Sequence, residues 1–136
     1  MNTPLRSDFN TIAQWVTPHS RILDLGCGDG SLLHYLQAAR NTTGYGVEIA
    51  ADNINACTAR GIAVIQANID TGLGVFETNA FDFVILSQTL QAMHNTEAVI
   101  QEILRIGKQA IVSFPNFGYW RVRTQLWLGG RMPVSD

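Results

Sequence analysis

Short runs of apolar and β-branched residues alternate along this chain with stretches whose apolar positions recur every three or four residues. Phe9, Ile12, Ala13 and Val16 form one helical stripe; Ser7 or Asp8 can cap it and Pro18 ends it. Residues 21–25, Arg-Ile-Leu-Asp-Leu, predict a first strand that runs into a glycine cluster. A helix over 31–39 follows, with Leu32, Leu33 and Leu36 on one face. Residues 45–49 predict a second strand, and Asp52 caps a helix carrying Ile54 and Cys57 that Gly61 stops. A third strand is expected over 63–67, then a loop rich in Gly, Asn and Thr over 68–80. Residues 81–86 predict a fourth strand, apolar enough to be buried on both faces. Asn95 or Thr96 opens a helix with Val99, Ile100, Ile103 and Leu104 at helical spacing, ended by Gly107. Residues 110–114 form a fifth strand closed by Pro115, and a last helix is expected over 119–128. Five strands alternating with helices predict an α/β fold: a doubly wound, mostly parallel, Rossmann-like sheet.

Composition narrows the function classes. A length of 136 residues predicts one domain, and 46% hydrophobic with 15% charged residues fits a packed core and not a disordered segment. A net charge of −2 gives no basic face for general nucleic-acid binding. No run approaches the roughly 18 apolar residues of a membrane helix. Residues 1–9 lack the apolar core of a secretory signal. Cys27 and Cys57 stand thirty positions apart without a CxxC pair, which argues against a disulfide scaffold or a zinc site; a cytoplasmic location is expected.

The chemistry concentrates after the first strand, in Asp24-Leu25-Gly26-Cys27-Gly28-Asp29-Gly30. Glycines at a strand-to-helix turn permit positive φ and close approach of a ligand to bare backbone. The following helix directs partial positive charge at whatever docks there. A dinucleotide fingerprint, GxGxxG, needs glycine at position 31, where this chain has Ser31. The spacing is GxGxG with an acid two residues before the first glycine, which resembles the loop of S-adenosylmethionine (SAM) methyltransferase folds. Cys27 is expected to offer its backbone N–H there and to fill space with its thiol. Glu48 lies twenty residues after Gly28, the distance of a ribose-binding acid, and a carboxylate suits vicinal hydroxyls. After the third strand, Asn68-Ile69-Asp70 stands where an acid often meets the adenine amino group; Asn68 and Asp70 are the two candidates for that bond. Ser87 falls close to the same cofactor, with helix capping by Ser87 or Thr89 as the alternative.

The acceptor side offers far less. His94 beside Asn95 reads as a helix-start residue, and His19 and His34 as a turn and a helix-surface residue. The (Asn/Asp)-Pro-Pro-aromatic motif of nucleic-acid amino-methyltransferases is replaced by Ser87-Gln88-Thr89-Leu90. No catalytic base and no metal ligand set is identified.

Residues 23–30 together with Val84-Ile85-Leu86-Ser87-Gln88-Thr89-Leu90-Gln91 and Ser113-Phe114-Pro115-Asn116-Phe117 resemble the MetW methionine-biosynthesis proteins. Trp120-Arg121-Val122-Arg123 and Gly129-Gly130-Arg131-Met132-Pro133-Val134-Ser135 fit the same family. The resemblance implies a class I SAM methyltransferase-like fold, SAM or S-adenosylhomocysteine (SAH) as cofactor, and a role beside homoserine O-acyltransferase. An accessory or regulatory subunit and an active small-molecule methyltransferase are the two functions it leaves open; Ser31 disfavours a nicotinamide enzyme. Such folds usually carry seven strands, so a single domain over 1–136 lacking the last two, with an uncovered fifth strand, is expected. Aromatics and arginines over 117–131 read either as packing beneath the absent last strands or as a partner surface with Trp127 as anchor, and a homodimer is a separate expectation. No membrane or nucleic-acid partner is expected.

Overall fold

The computed structural model describes residues 6–86, 95–114 and 118–123. In chain order it contains α1 (Arg6–Trp15), β1 (Arg21–Leu25), α2 (Ser31–Arg40), β2 (Thr43–Glu48) and α3 (Ala51–Ala59). There follow β3 (Val64–Gln66), a single 3₁₀ turn (Leu73–Val75), β4 (Phe81–Leu86), α4 (Thr96–Ile106), β5 (Gly107–Phe114) and β6 (Gly118–Arg123). The six strands form one sheet in the order β3-β2-β1-β4-β5-β6. All neighbours run parallel except β5 and β6, which are antiparallel. The order reverses between β1 and β4, which places a topological switch point at the carboxyl ends of those two strands.

Each face of the sheet is buried by a different set of residues. On one face Phe9, Ile12, Ala13 and Val16 of α1 and Leu32, Leu33 and Leu36 of α2 pack against Ile22, Phe83, Ile85 and Ile111. On the other, Val99, Ile103, Leu104 and Ile106 of α4 cover Leu23, Leu25, Val84, Leu86 and Val112. Successive strand side chains therefore serve opposite cores, which explains why β4 is apolar nearly throughout. Burial of each such Leu, Ile or Phe contributes about 1.5–3 kcal/mol. Arg105 secures the loop after β3 from α4, donating to the Leu73 carbonyl at 3.3 Å and pairing with Glu102 at 2.9 Å.

The helix expected over 119–128 is not formed by 118–123, which are strand β6. Tyr119 and Val122 are three apart and so mimic one helical stripe. In the structure they belong to opposite faces: Tyr119 packs on the α1–α2 side and Val122 is buried on the α4 side. The guanidinium of Arg121 lies over Trp15 of α1, on the same face as Tyr119. β5 is thus covered by a sixth strand and not left as an edge. β5 itself starts earlier than expected, at Gly107, directly after α4. Asp52 does not cap α3; Ala50 holds that position, and no side chain caps the helix. Ser87, Gln88, Thr89 and His94 lie outside the described residues, as do Pro115, Phe117 and 124–136 with Trp127.

Candidate functional site

The glycine loop occupies the switch point. Gly26, Gly28 and Gly30 all have positive φ, at 70°, 57° and 82°. Three left-handed positions in five residues account for the GxGxG spacing, since L side chains are strained in that conformation. Gly30 is the N-cap of α2. Asp29 accepts the Ser31 N–H at 3.0 Å and is held below the usual carboxylate range by its bonds to Ser31 and by Arg60, against the upward push of burial. A Cβ built on Gly28 would meet nothing within 4 Å, so the loop presents bare backbone to open space.

Glu48 is the organiser of this edge. Its Oε1 accepts the Gly28 N–H at 2.9 Å, while Oε2 accepts those of Ile49 and Ala50 at 3.2 and 3.0 Å. The side chain is 8% exposed. One carboxylate thereby joins the β1–α2 loop to the β2–α3 turn, and the twenty-residue spacing seen in the sequence is a direct contact. Oε2 is already doubly engaged; Oε1 is the oxygen with acceptor capacity left for a ligand hydroxyl.

The remaining candidates distribute as follows. Asp24 ends up fully buried near the carboxyl end of β1, in register with Gly46 and Ile85. The Cys27 N–H, expected to face a ligand, is committed to the Val47 carbonyl at 3.1 Å, as is that of Gly26 at 2.8 Å. The Cys27 contribution is its buried thiol beneath the loop. Asn68 uses its Oδ1 to accept the Asp70 N–H at 2.8 Å, which closes a turn after β3, and Asp70 in turn accepts from the Asn95 N–H at 3.3 Å. Ile69 is partly buried against the α4-side core. Asn68 and Ile69 share the carboxyl edge with Glu48, since β3 pairs with β2 up to Gln66 and Glu48.

Three features escaped the sequence reading. Ile49, directly after Glu48, is 59% exposed, a large apolar side chain held out beside the loop. Tyr119 on β6 packs on the α1–α2 side, where burial, with Asp24 and Asp8 acting in the same direction, pushes its phenol up to about 12. The third is the contact between Cys27 and Cys57, whose sulfurs lie 3.6 Å apart. Burial first, and the neighbouring carboxylates after it, push both thiols upward. No separation in sequence announces such a contact; only the packing of α3 under the loop creates it. Among the described residues no cluster of three or more His, Cys, Asp or Glu could hold a metal ion. None of the described helices is long and apolar enough to cross a membrane.

Solved structures share this architecture. A SAM-dependent methyltransferase from Archaeoglobus fulgidus superposes with a TM-score of 0.71 at 19% identity, over 82% of this chain and 52% of that one. A TehB-like SAM-dependent methyltransferase from Corynebacterium glutamicum gives 0.68 at 16% identity, over 82% of this chain and 63% of that one. The fold is that of the Rossmann-like class I SAM methyltransferases. Within that class the family model described as methionine biosynthesis protein MetW matches residues 6–136. The bifunctional methionine biosynthesis protein MetXA/MetW of Rhodopirellula baltica is 40% identical over 139 residues, which is 96% of this chain and 22% of that relative. The chain belongs to the MetW methionine biosynthesis family.

Proposed function

We propose that the chain binds SAM or SAH across residues 26–30 and Glu48, and that it acts in methionine biosynthesis as an accessory or regulatory partner of homoserine O-acyltransferase. The observation that carries the first half is the Gly28–Glu48 bond: three left-handed glycines locked to a strand-end carboxylate at the switch point. Ribose hydroxyls fit the free capacity of Oε1, and the exposed side chain of Ile49 beside that carboxylate suits an apolar face of the ligand. Asn68, after β3 at the same edge, adds to the proposed site, and Ser87, outside the described residues, is proposed as a further contact only from its place in the sequence after β4. SAM would supply an electrophilic methyl group bound to a sulfonium. The described residues bind and orient; of the described histidines, neither His19, which precedes β1, nor His34 on α2 stands at the carboxyl edge to take a proton.

The second half is supported by the relative that joins MetXA and MetW in one bifunctional chain. Two activities fused in one protein are held at high effective concentration, and separate chains reach the same state by binding. The test mixes the full chain with homoserine O-acyltransferase and labelled SAM and follows the mixture by size-exclusion chromatography. Co-elution of the two proteins, with no label on homoserine or its acyl esters, is the expected result. Separate elution at micromolar concentrations would overturn the partner assignment. Label on homoserine that is lost in Asp24→Ala would make the chain an active methyltransferase instead.

A further inference from the structure

Beneath the glycine loop the two cysteines occupy space that two glycines leave open. A Cβ on Gly46 would lie 2.4 Å from the Cys27 sulfur, and one on Gly30 would lie 3.1 Å from the Cys57 sulfur. The Cys57 thiol donates to the Gly28 carbonyl at 3.2 Å, so the Gly28 residue is held from both ends, by Glu48 at its N–H and by Cys57 at its C=O. Cys27 is 7% exposed and Cys57 fully buried, and both are free thiols. Their sulfurs, 3.6 Å apart, need to close by about 1.5 Å to reach the ~2.05 Å of a disulfide.

From this geometry we propose that Cys27 and Cys57 are an oxidisable pair, and that their disulfide weakens nucleotide binding at the loop above. The oxidant is hydrogen peroxide. Burial keeps both thiols protonated, so the first step is slow and falls to Cys27, the one with some exposure: its sulfur attacks a peroxide oxygen, the O–O bond breaks, and the thiol proton leaves with the departing hydroxide as water, giving a sulfenic acid. The Cys57 sulfur then displaces that hydroxyl as a second water, so that two thiols and one peroxide become one disulfide and two waters. The bond removes the Cys57 S–H that held the Gly28 carbonyl and draws Cys27, a loop residue, toward α3. The loop conformation that Glu48 fixes from the other side is then no longer shared by both supports.

The binding half of this inference rests on the SAM reading above, and the disulfide half does not. The full chain is treated with hydrogen peroxide, alkylated without reduction and digested with trypsin, which cuts after Arg21, Arg40 and Arg60. The expected product is peptide 22–40 linked to peptide 41–60 with loss of two hydrogens, reversed by dithiothreitol. Two separately alkylated peptides would overturn the proposal whatever the cofactor. SAH affinity measured on the same samples is expected to fall about tenfold on oxidation and to recover on reduction. Cys57→Ser keeps a donor toward Gly28 but cannot form the bond, and its affinity is expected to ignore peroxide; Cys27→Ser gives a second control if the first does not fold. A linked pair with unchanged SAH affinity would overturn the coupling, while absence of SAH binding in the reduced wild type would count against the cofactor reading alone.

Discussion

Glu48→Ala is expected to lose both the ligand and part of the fold. In the native chain its carboxylate accepts three backbone N–H groups, from Gly28, Ile49 and Ala50, while itself almost wholly buried. Alanine leaves all three donors without that partner. Water can reach part of this edge, so the cost is less than three full penalties, about 3 kcal/mol. For a domain of this size that lowers the melting midpoint by roughly 10 °C. Affinity for SAH is expected to drop by roughly 10- to 150-fold from the lost charged hydrogen bond, and further because the loop no longer has its anchor. Glu48→Gln keeps the volume and one acceptor oxygen, and should fall between. Thermal melting and calorimetry on the two variants check this; an alanine variant as stable and as tight-binding as wild type would remove Glu48 from both roles.

Gly44→Ala is expected to be worse for the fold than any change at the site. Gly44 has φ of 116° and sits opposite Ile22 in the central β1–β2 ladder. An added Cβ would lie 1.9 Å from the Ile22 carbonyl oxygen and 2.8 Å from its carbonyl carbon and nitrogen. The obstacle is backbone of a neighbouring strand, which cannot rotate away as a side chain can. Relief requires separating β1 from β2, the two strands that carry the glycine loop and Glu48. The expected loss is about 4 kcal/mol or more, a large share of ordinary domain stability. Circular dichroism on the purified variant should show an unfolded or heavily destabilised chain, and a native melting curve would show that this pair of strands tolerates separation.

The parallel part of the sheet was legible because period and punctuation agreed. Residues 81–86 read as a doubly buried strand and are β4, and the Leu32, Leu33 and Leu36 stripe became the buried face of α2. β6 is not legible locally, because Tyr119 and Val122 satisfy a helical spacing whereas pairing with β5 forces alternation. Short aromatic segments beside a proline are set by tertiary pairing more than by local propensity. At the site, Gly26, Gly28, Gly30 and Glu48 were legible because a positive φ and a fixed βαβ spacing leave a signature in residue type. The Cys27 N–H serves Val47 and not a ligand, because the direction of a loop amide leaves no trace in residue type. The sulfur contact was invisible for the same reason: it depends on how α3 docks, not on spacing.

The cofactor assignment stands or falls with one titration. Calorimetry of SAH into the full reduced chain, with NAD titrated in parallel, is expected to show saturable one-site binding of SAH and no heat from NAD. Binding of NAD in place of SAH, or no binding of SAH by folded protein, would contradict the assignment of the Gly26–Glu48 edge as a SAM site.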